Sequence, residues 1–248
     1  MTALTVTVLG SSGSYAAADN PCTGFLVQSR DAAVLYDCGP GTTGPLQKAI
    51  DLVDLTAIVI SHCHPDHWLE LPVLRNVFTW FVPRSGLPVY GTARTAEMDA
   101  AVAVPVAGVP SPFDWTVIDS SARLTIADQR WTFDRTDHPV ETLAARVESA
   151  GTSVMFSSDT GPEWDFDEFG RDADAAFCDA SHLCGFEGQG IPHLSAREAA
   201  MRAEAAGAKR LVLTHLIPGS DAEAHRDEAA AAYGGPVDVA LPGSVFEF

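Results

Sequence analysis

Basic residues are scarce. Lys and Arg together number 15 in 248 positions, only Lys48 and Lys209 being lysines, against 33 Asp and Glu. The formal net charge of −18 repels a long polyanion unless a basic patch compensates, and no run of basic residues exists to form one. Long apolar runs are missing too: none approaches the roughly 18 residues that a membrane span requires. Residues 1–5 carry no basic segment ahead of an apolar block, so no signal peptide is expected. Cysteine is present only as Cys22, Cys38, Cys63, Cys178 and Cys184, an odd number without a C-x-x-C pair. That excludes a disulfide framework and fits reduced thiols. No internal repeat or low-complexity linker divides the chain. The expectation is one soluble, cytoplasmic domain over 1–248 with no membrane partner.

Hydrophobic residues make up 46% of the chain, enough for a full core. Alternating or continuous apolar runs predict strands over 4–9, 24–28, 32–37, 56–60, 115–118, 123–126, 131–137, 142–147 and 153–158. The last third alternates in period, predicting strands at 175–178, 210–214 and 237–241 and helices at 163–169, 195–206 and 221–233. Helices are also expected at 45–52 and 71–81. The Pro/Gly/Ala-rich stretch 83–112 has no clear period and receives no assignment. Two strand-rich halves, each closed by helices, suggest an α/β four-layer αββα sandwich.

The chemistry sits in His62-Cys63-His64-Pro65-Asp66-His67, directly after the buried run 56–60. In an extended segment alternate side chains share a direction, so His62, His64 and Asp66 can face one point, with His67 turning at the start of the next helix. Three imidazoles and a carboxylate on one spot suit a borderline cation such as zinc. One motif cannot fill two metal positions. Three further polar residues close apolar runs as the motif does: His138 after 131–137, Asp159 after 153–158 and His215 after 210–214.

H-x-H-x-D-H after a buried strand, then a lone His, an Asp in Ser158-Asp159-Thr160 and a late Thr214-His215, resembles the metallo-β-lactamase superfamily in kind and order. The resemblance runs from Gly10-Ser11-Ser12-Gly13 and Asp37-Cys38-Gly39-Pro40-Gly41 to Thr214-His215. His193-Leu194-Ser195 ahead of an Ala-rich helix, with the RLVLTHLIP stretch at 210–218, is similar to its phosphodiesterase branch. That branch holds RNase Z and atypical bacterial cyclic-nucleotide phosphodiesterases. The resemblance implies two divalent ions, zinc first with Mn2+ and Fe2+ as alternatives. His62, His64 and His138 would hold one, Asp66, His67 and His215 the other, and Asp159 would bridge them. It also implies Asp66 and His193 as catalytic residues, with His193 acting on the leaving oxygen, and a homodimer.

Other residues have two readings each. Asp37 either orients a ligand imidazole or merely ends a strand. Ser11, Ser12 and Gly13 either offer backbone N–H groups to a phosphate or form a plain turn. His182 either lines the pocket or stands apart. His225, on an acidic helix, is expected in solvent, and Cys63, Cys178 and Cys184 as small buried side chains. The leading expectation is hydrolysis of a small phosphodiester, with 3′,5′-cyclic nucleotides first. Alternatives are tRNA 3′ processing, disfavoured by charge and by the twenty residues 139–158 that leave no room for a substrate-gripping arm, and a non-catalytic metal-stabilised binding module.

Overall fold

The computed structural model describes residues 2–82 and 84–248; Met1, and Pro83 at the start of the unassigned stretch, lie outside them. Six strands form most of a first sheet: β1 (Thr5–Gly10), β2 (Gly24–Gln28), β3 (Ala33–Cys38), β4 (Ala57–Ile60), β5 (Leu87–Gly91) and β6 (Phe113–Val117). The second sheet holds β7 (Arg123–Ile126), β8 (Gln129–Arg135), β9 (Leu143–Ser149), β10 (Thr152–Phe156), β11 (Ala175–Asp179), β12 (Leu211–Thr214) and β13 (Val237–Val239). A last strand, β14 (Val245–Glu247), returns to pair with β1, so the orders are β14-β1-β2-β3-β4-β5-β6 and β13-β12-β11-β10-β9-β8-β7. The helices are α1 (Thr43–Ala49), α2 (Pro65–Trp68), α3 (Leu71–Trp80), α4 (Ala93–Val102), α5 (Ala196–Ala205) and α6 (Ala222–Ala230).

Alternation along the strands builds the layers. In β3 and β4, Val34, Tyr36, Ala57 and Val59 face the second sheet, where they meet Trp131, Val154 and Phe156. Their neighbours Leu35, Ile58 and Ile60 turn outward and pack with Leu46, Leu71, Leu74 and Phe78 of α1 and α3. The second sheet repeats the pattern: Phe156, Phe177 and Val212 point inward, while Met155, Cys178, Leu211 and Leu213 meet Ala199, Ala200 and Ala203 of α5. Each fully buried Val, Leu, Ile, Phe or Met among them contributes about 1.5–3 kcal/mol. The four-layer αββα sandwich is thus the observed architecture.

One assignment needs correction, and three elements had received none. The segment 163–169 is a set of turns and not a helix, because the Asp165 side chain accepts the Asp167 N–H at 3.0 Å and so competes with helical pairing. Trp164 and Phe166 are nonetheless buried. Within 84–112, β5 and α4 had no legible pattern. The strand is interrupted by Pro88, and α4 buries only Thr95 and Asp99, so its inner face reads as polar. A further edge strand, β14, was also unassigned.

Candidate metal centre

The parallel strands β3 and β4 of one sheet, and β10, β11 and β12 of the other, end at the same rim. The loops leaving those ends carry the motif residues, the usual placement for a site in sheets of this kind. Asp37 comes from β3 and the histidine motif follows β4, with His64 as the N-terminal cap residue of α2 and Pro65 opening that helix. His215 follows β12 directly, whereas His138 and Asp159 sit three residues beyond the ends of β8 and β10. The first sheet therefore supplies His62, His64, Asp66 and His67, and the second supplies His138, Asp159 and His215.

Two donor sets result. His62, His64, His138 and Asp159 bring one ligand atom each within 4.8 Å of one another, and so do Asp66, His67 and His215. Asp159 reaches both: its Oδ2 lies 3.5 Å from His62 Nε2 and its Oδ1 lies 3.1 Å from His67 Nε2 and 3.2 Å from His215 Nε2. Yet the buried atoms His62 Nε2 and Asp159 Oδ1 form no well-directed hydrogen bond. Ring nitrogens also face each other, His64 Nδ1 and His138 Nε2 at 3.1 Å and His67 Nε2 and His215 Nε2 at 3.3 Å, the last of these also 3.2 Å from Asp66 Oδ2.

The other nitrogen of four of these rings is tied to oxygen, which fixes the ring plane. His67 Nδ1 bonds Asp37 Oδ2 at 2.7 Å, His62 Nδ1 pairs with Ser61 Oγ at 3.0 Å, His138 Nδ1 donates to the Pro192 carbonyl at 3.1 Å, and His215 Nδ1 meets Ser181 Oγ at 3.0 Å. Asp37 also accepts both the N–H and the hydroxyl of Ser61, at 2.7 and 2.8 Å. Backbone strain concentrates here: Ser14, Asp37, Ser158 and His215 all have φ between 55° and 62°. Such a conformation costs a non-glycine residue of order 1–3 kcal/mol and persists only when its surroundings enforce it.

The electrostatics favour cations. Burial pushes His62 down to about 4, and burial likewise lowers His64 and His138, so these rings are neutral with free lone pairs. Burial would raise the Asp159 carboxyl, but His215, His67 and His62 hold it well below the usual range. The same contest, won by His67 and His215, lowers Asp66. Burial opposes a charge on His67, but Asp159, Asp37 and Asp66 outweigh it and raise that ring well above its ordinary value. Orphaned donor atoms and three carboxylates around one imidazole fit divalent metal.

His193 stands beside this cluster, its ring centroid 5.1 Å from that of His215 and 5.3 Å from that of His138. Its Nδ1 bonds Asp179 Oδ2 at 2.7 Å. Burial disfavours the imidazolium, but Asp179 prevails and the ring is pushed up to about 9. Asp159, Asp179, His193 and His215 also fall within ligand distance of one another. The hydrogen bond to Asp179 leaves only Nε2 of His193 for other duty.

The Ser11–Gly13 turn does not aim its N–H groups at the site: they donate to Asn20 Oδ1, the Pro21 carbonyl and the Leu216 carbonyl. Instead the next residue, Ser14, donates its N–H to Asp66 Oδ2 at 2.7 Å. Gly13 packs so closely that a Cβ there would lie 2.5 Å from the His215 carbonyl oxygen and 2.7 Å from its Nδ1. Gly13→Ala should therefore lower stability by about 1–3 kcal/mol through overpacking, measured by denaturant titration; an unchanged midpoint would show that the turn yields freely.

His182 lines a cavity near His193 and bonds the His193 carbonyl at 3.1 Å, so it holds that loop and offers no ligand atom to either set. His225 is buried and not solvated, with Nδ1 donating to the Asp221 carbonyl, and lies outside the cluster. Cys63 and Cys178 are buried as expected, but Cys184 is exposed; a hydrogen bond to Glu228 raises its thiol pKa. Asp179 and Ser181, which set His193 and His215, went unread in the sequence. Asp179 closes the apolar run of β11 just as Asp159 follows that of β10, and the same signal marks it.

A sandwich of this topology with these donors at its rim defines a metal-dependent hydrolase. The beta-lactamase superfamily domain matches residues 32–216, and the chain belongs to that superfamily. It is 31% identical over 253 residues to an uncharacterized protein of Mycobacterium tuberculosis, covering 98% of this chain and 91% of that one. To the probable metallo-hydrolase YhfI of Bacillus subtilis it is 29% identical over 251 residues, 98% and 99% of the two chains. The crystal structure of YhfI superposes with a TM-score of 0.89 at 27% identity over the full length of both. A Ribonuclease Z of Mycobacterium bovis is 28% identical over 282 residues, 95% of each chain.

Proposed function

We propose that this hydrolase cleaves a small phosphodiester, with 3′,5′-cyclic nucleotides as the leading substrate, in the reducing cytoplasm that its five free thiols suit. His62, His64 and His138 would hold one divalent ion and Asp66, His67 and His215 a second, with Asp159 between them. Five imidazoles and two carboxylates suit zinc first, then manganese or iron. When bound, such ions supply Lewis-acid charge at the phosphoryl oxygens and activate water.

The chain's own residues do the rest. Asp37 and Ser181 fix the planes of His67 and His215, and Ser14 steadies Asp66. His193 carries a proton on the free face of its ring because Asp179 holds the other nitrogen. As a water oxygen bonds to phosphorus, the bond from phosphorus to the leaving oxygen breaks and that oxygen takes the His193 proton. The water's surplus proton passes to solvent, from which His193 is recharged. The observation that carries this reading is His193 on Asp179, beside both donor sets yet with its Nδ1 committed elsewhere.

The relationship to Ribonuclease Z supports a second reading, cleavage of precursor tRNA. Against it, β9 and β10 form a hairpin paired from Ala145 and Phe156 inward to a turn at Ala150-Gly151. Residues 139–158 therefore carry no arm for gripping RNA. At physiological salt the specificity constant for cyclic AMP should exceed that for precursor tRNA and depend weakly on salt, since a single ester makes few phosphate contacts. A ratio favouring tRNA would promote the second reading. Two bound ions without turnover of any phosphodiester would leave a metal-stabilised binding module.

A further inference from the structure

A cavity of about 390 Å3 opens beside His193. His182, Phe186, Asp137, Glu163 and Glu187 are among the residues that line it, and no Lys or Arg does. Its carboxylates are not equally spoken for. Glu187 is paired with Arg197, and Glu198 accepts the Ser195 N–H in the capping box of α5. Asp137 Oδ2 accepts only a backbone N–H, that of Glu163, at 3.0 Å, and the exposed Glu163 side chain has no partner among the described residues. Arg202 pairs with Asp165 and donates to the Pro162 carbonyl. Phe186 adds a half-exposed aromatic wall, its ring centroid 6.2 Å from that of His182.

We infer that this cavity receives the leaving group and that Asp137 and Glu163 restrict it to an uncharged one, such as an unphosphorylated nucleoside. The inference rests on the proposed phosphodiesterase reading, because the group that departs must lie where His193 protonates it. Two carboxylates that no Lys or Arg pairs with, in a recess where the His193 charge is already matched by Asp179, repel a further phosphate there. The aromatic face of Phe186 and the unfilled acceptors of Asp137 and Glu163 match a base bearing amino groups. The phosphoryl side, dominated by bound cations, carries no such restriction.

The test compares the dinucleoside monophosphate ApA with its forms bearing a terminal phosphate at the 5′ or the 3′ end. The metal-loaded wild type, Glu163→Gln and Glu163→Lys are assayed, and product analysis identifies which nucleoside departs. Wild type should prefer ApA by about tenfold over the form whose extra phosphate sits on the departing nucleoside, and added salt should shrink that preference. Glu163→Gln should narrow the ratio and Glu163→Lys should abolish or invert it, with two metal ions per chain certifying each variant as folded. An identical ratio in all three proteins would overturn the inference. Failure of the wild type to hydrolyse any of the dinucleotides or cyclic AMP would instead bring down the phosphodiesterase reading, and this inference with it.

Discussion

Asp159→Ala should emerge from purification depleted of both metal ions and slowed by more than about 10³-fold. The carboxylate reaches both donor sets, lying 3.5 Å from His62 Nε2 through one oxygen and 3.1 Å from His67 Nε2 through the other. Removing it leaves His62, His64 and His138 facing one another with no carboxylate among them, and leaves Asp66 alone beside His67 and His215. A single lost transition-state donor already costs 10²–10³ in rate, and two lost cations should cost more. His138→Ala is the contrast: it subtracts from one set only and should empty mainly one position. Metal content by mass spectrometry and turnover decide the matter together. An Asp159→Ala protein that retains two ions per chain would refute the bridging role.

The second large effect belongs to His193. His193→Ala should keep both ions and the fold, because neither donor set of the proposed centre includes it, yet lose about 10²–10⁴ in turnover on cyclic AMP, whose leaving alkoxide needs a proton. With a nitrophenyl ester the loss should be far smaller, since nitrophenolate departs unaided. Equal losses on both esters would make His193 a binding residue; loss of an ion would make it a ligand. Asp179→Asn, which leaves the ring in place but weakens its hold on the proton, should show the same dependence on leaving group in milder form.

Much of this was legible in the chain because strand ends are legible. A continuous apolar run that stops at a polar residue marks both a buried strand and the rim where its next side chain is presented, which is how His62, His138, Asp159 and His215 stood out. The order of layers followed from the same runs. What escaped detection lacked that contrast. The helix Ala93–Val102 buries Thr95 and Asp99 where an apolar stripe would be expected. The turns over 163–169 mimic a helix in composition but are diverted by one Asp side chain. The orienting residues Asp179 and Ser181 and the Ser14 N–H depend on contacts between positions 14, 34 and 52 residues apart, the last of them made by a backbone group identical at every position. The Ser11–Gly13 turn shows the converse: its glycine matters for close packing against His215, and its N–H groups are already engaged.

The donors come from both sheets, and that has a mechanical consequence. Ions held between His62, His64, Asp66 and His67 on one side and His138, Asp159 and His215 on the other would act as rivets across the open end of the sandwich. Peeling the sheets apart would then require releasing the metal first. Ligands that bind only the folded state raise its stability by about 2.7 kcal/mol at a hundredfold excess over Kd, and the strained loops at the rim are where that gain would be felt. The lifetime of the folded chain would then follow the local supply of metal, so that a cell short of the ion would lose the protein itself as well as its turnover.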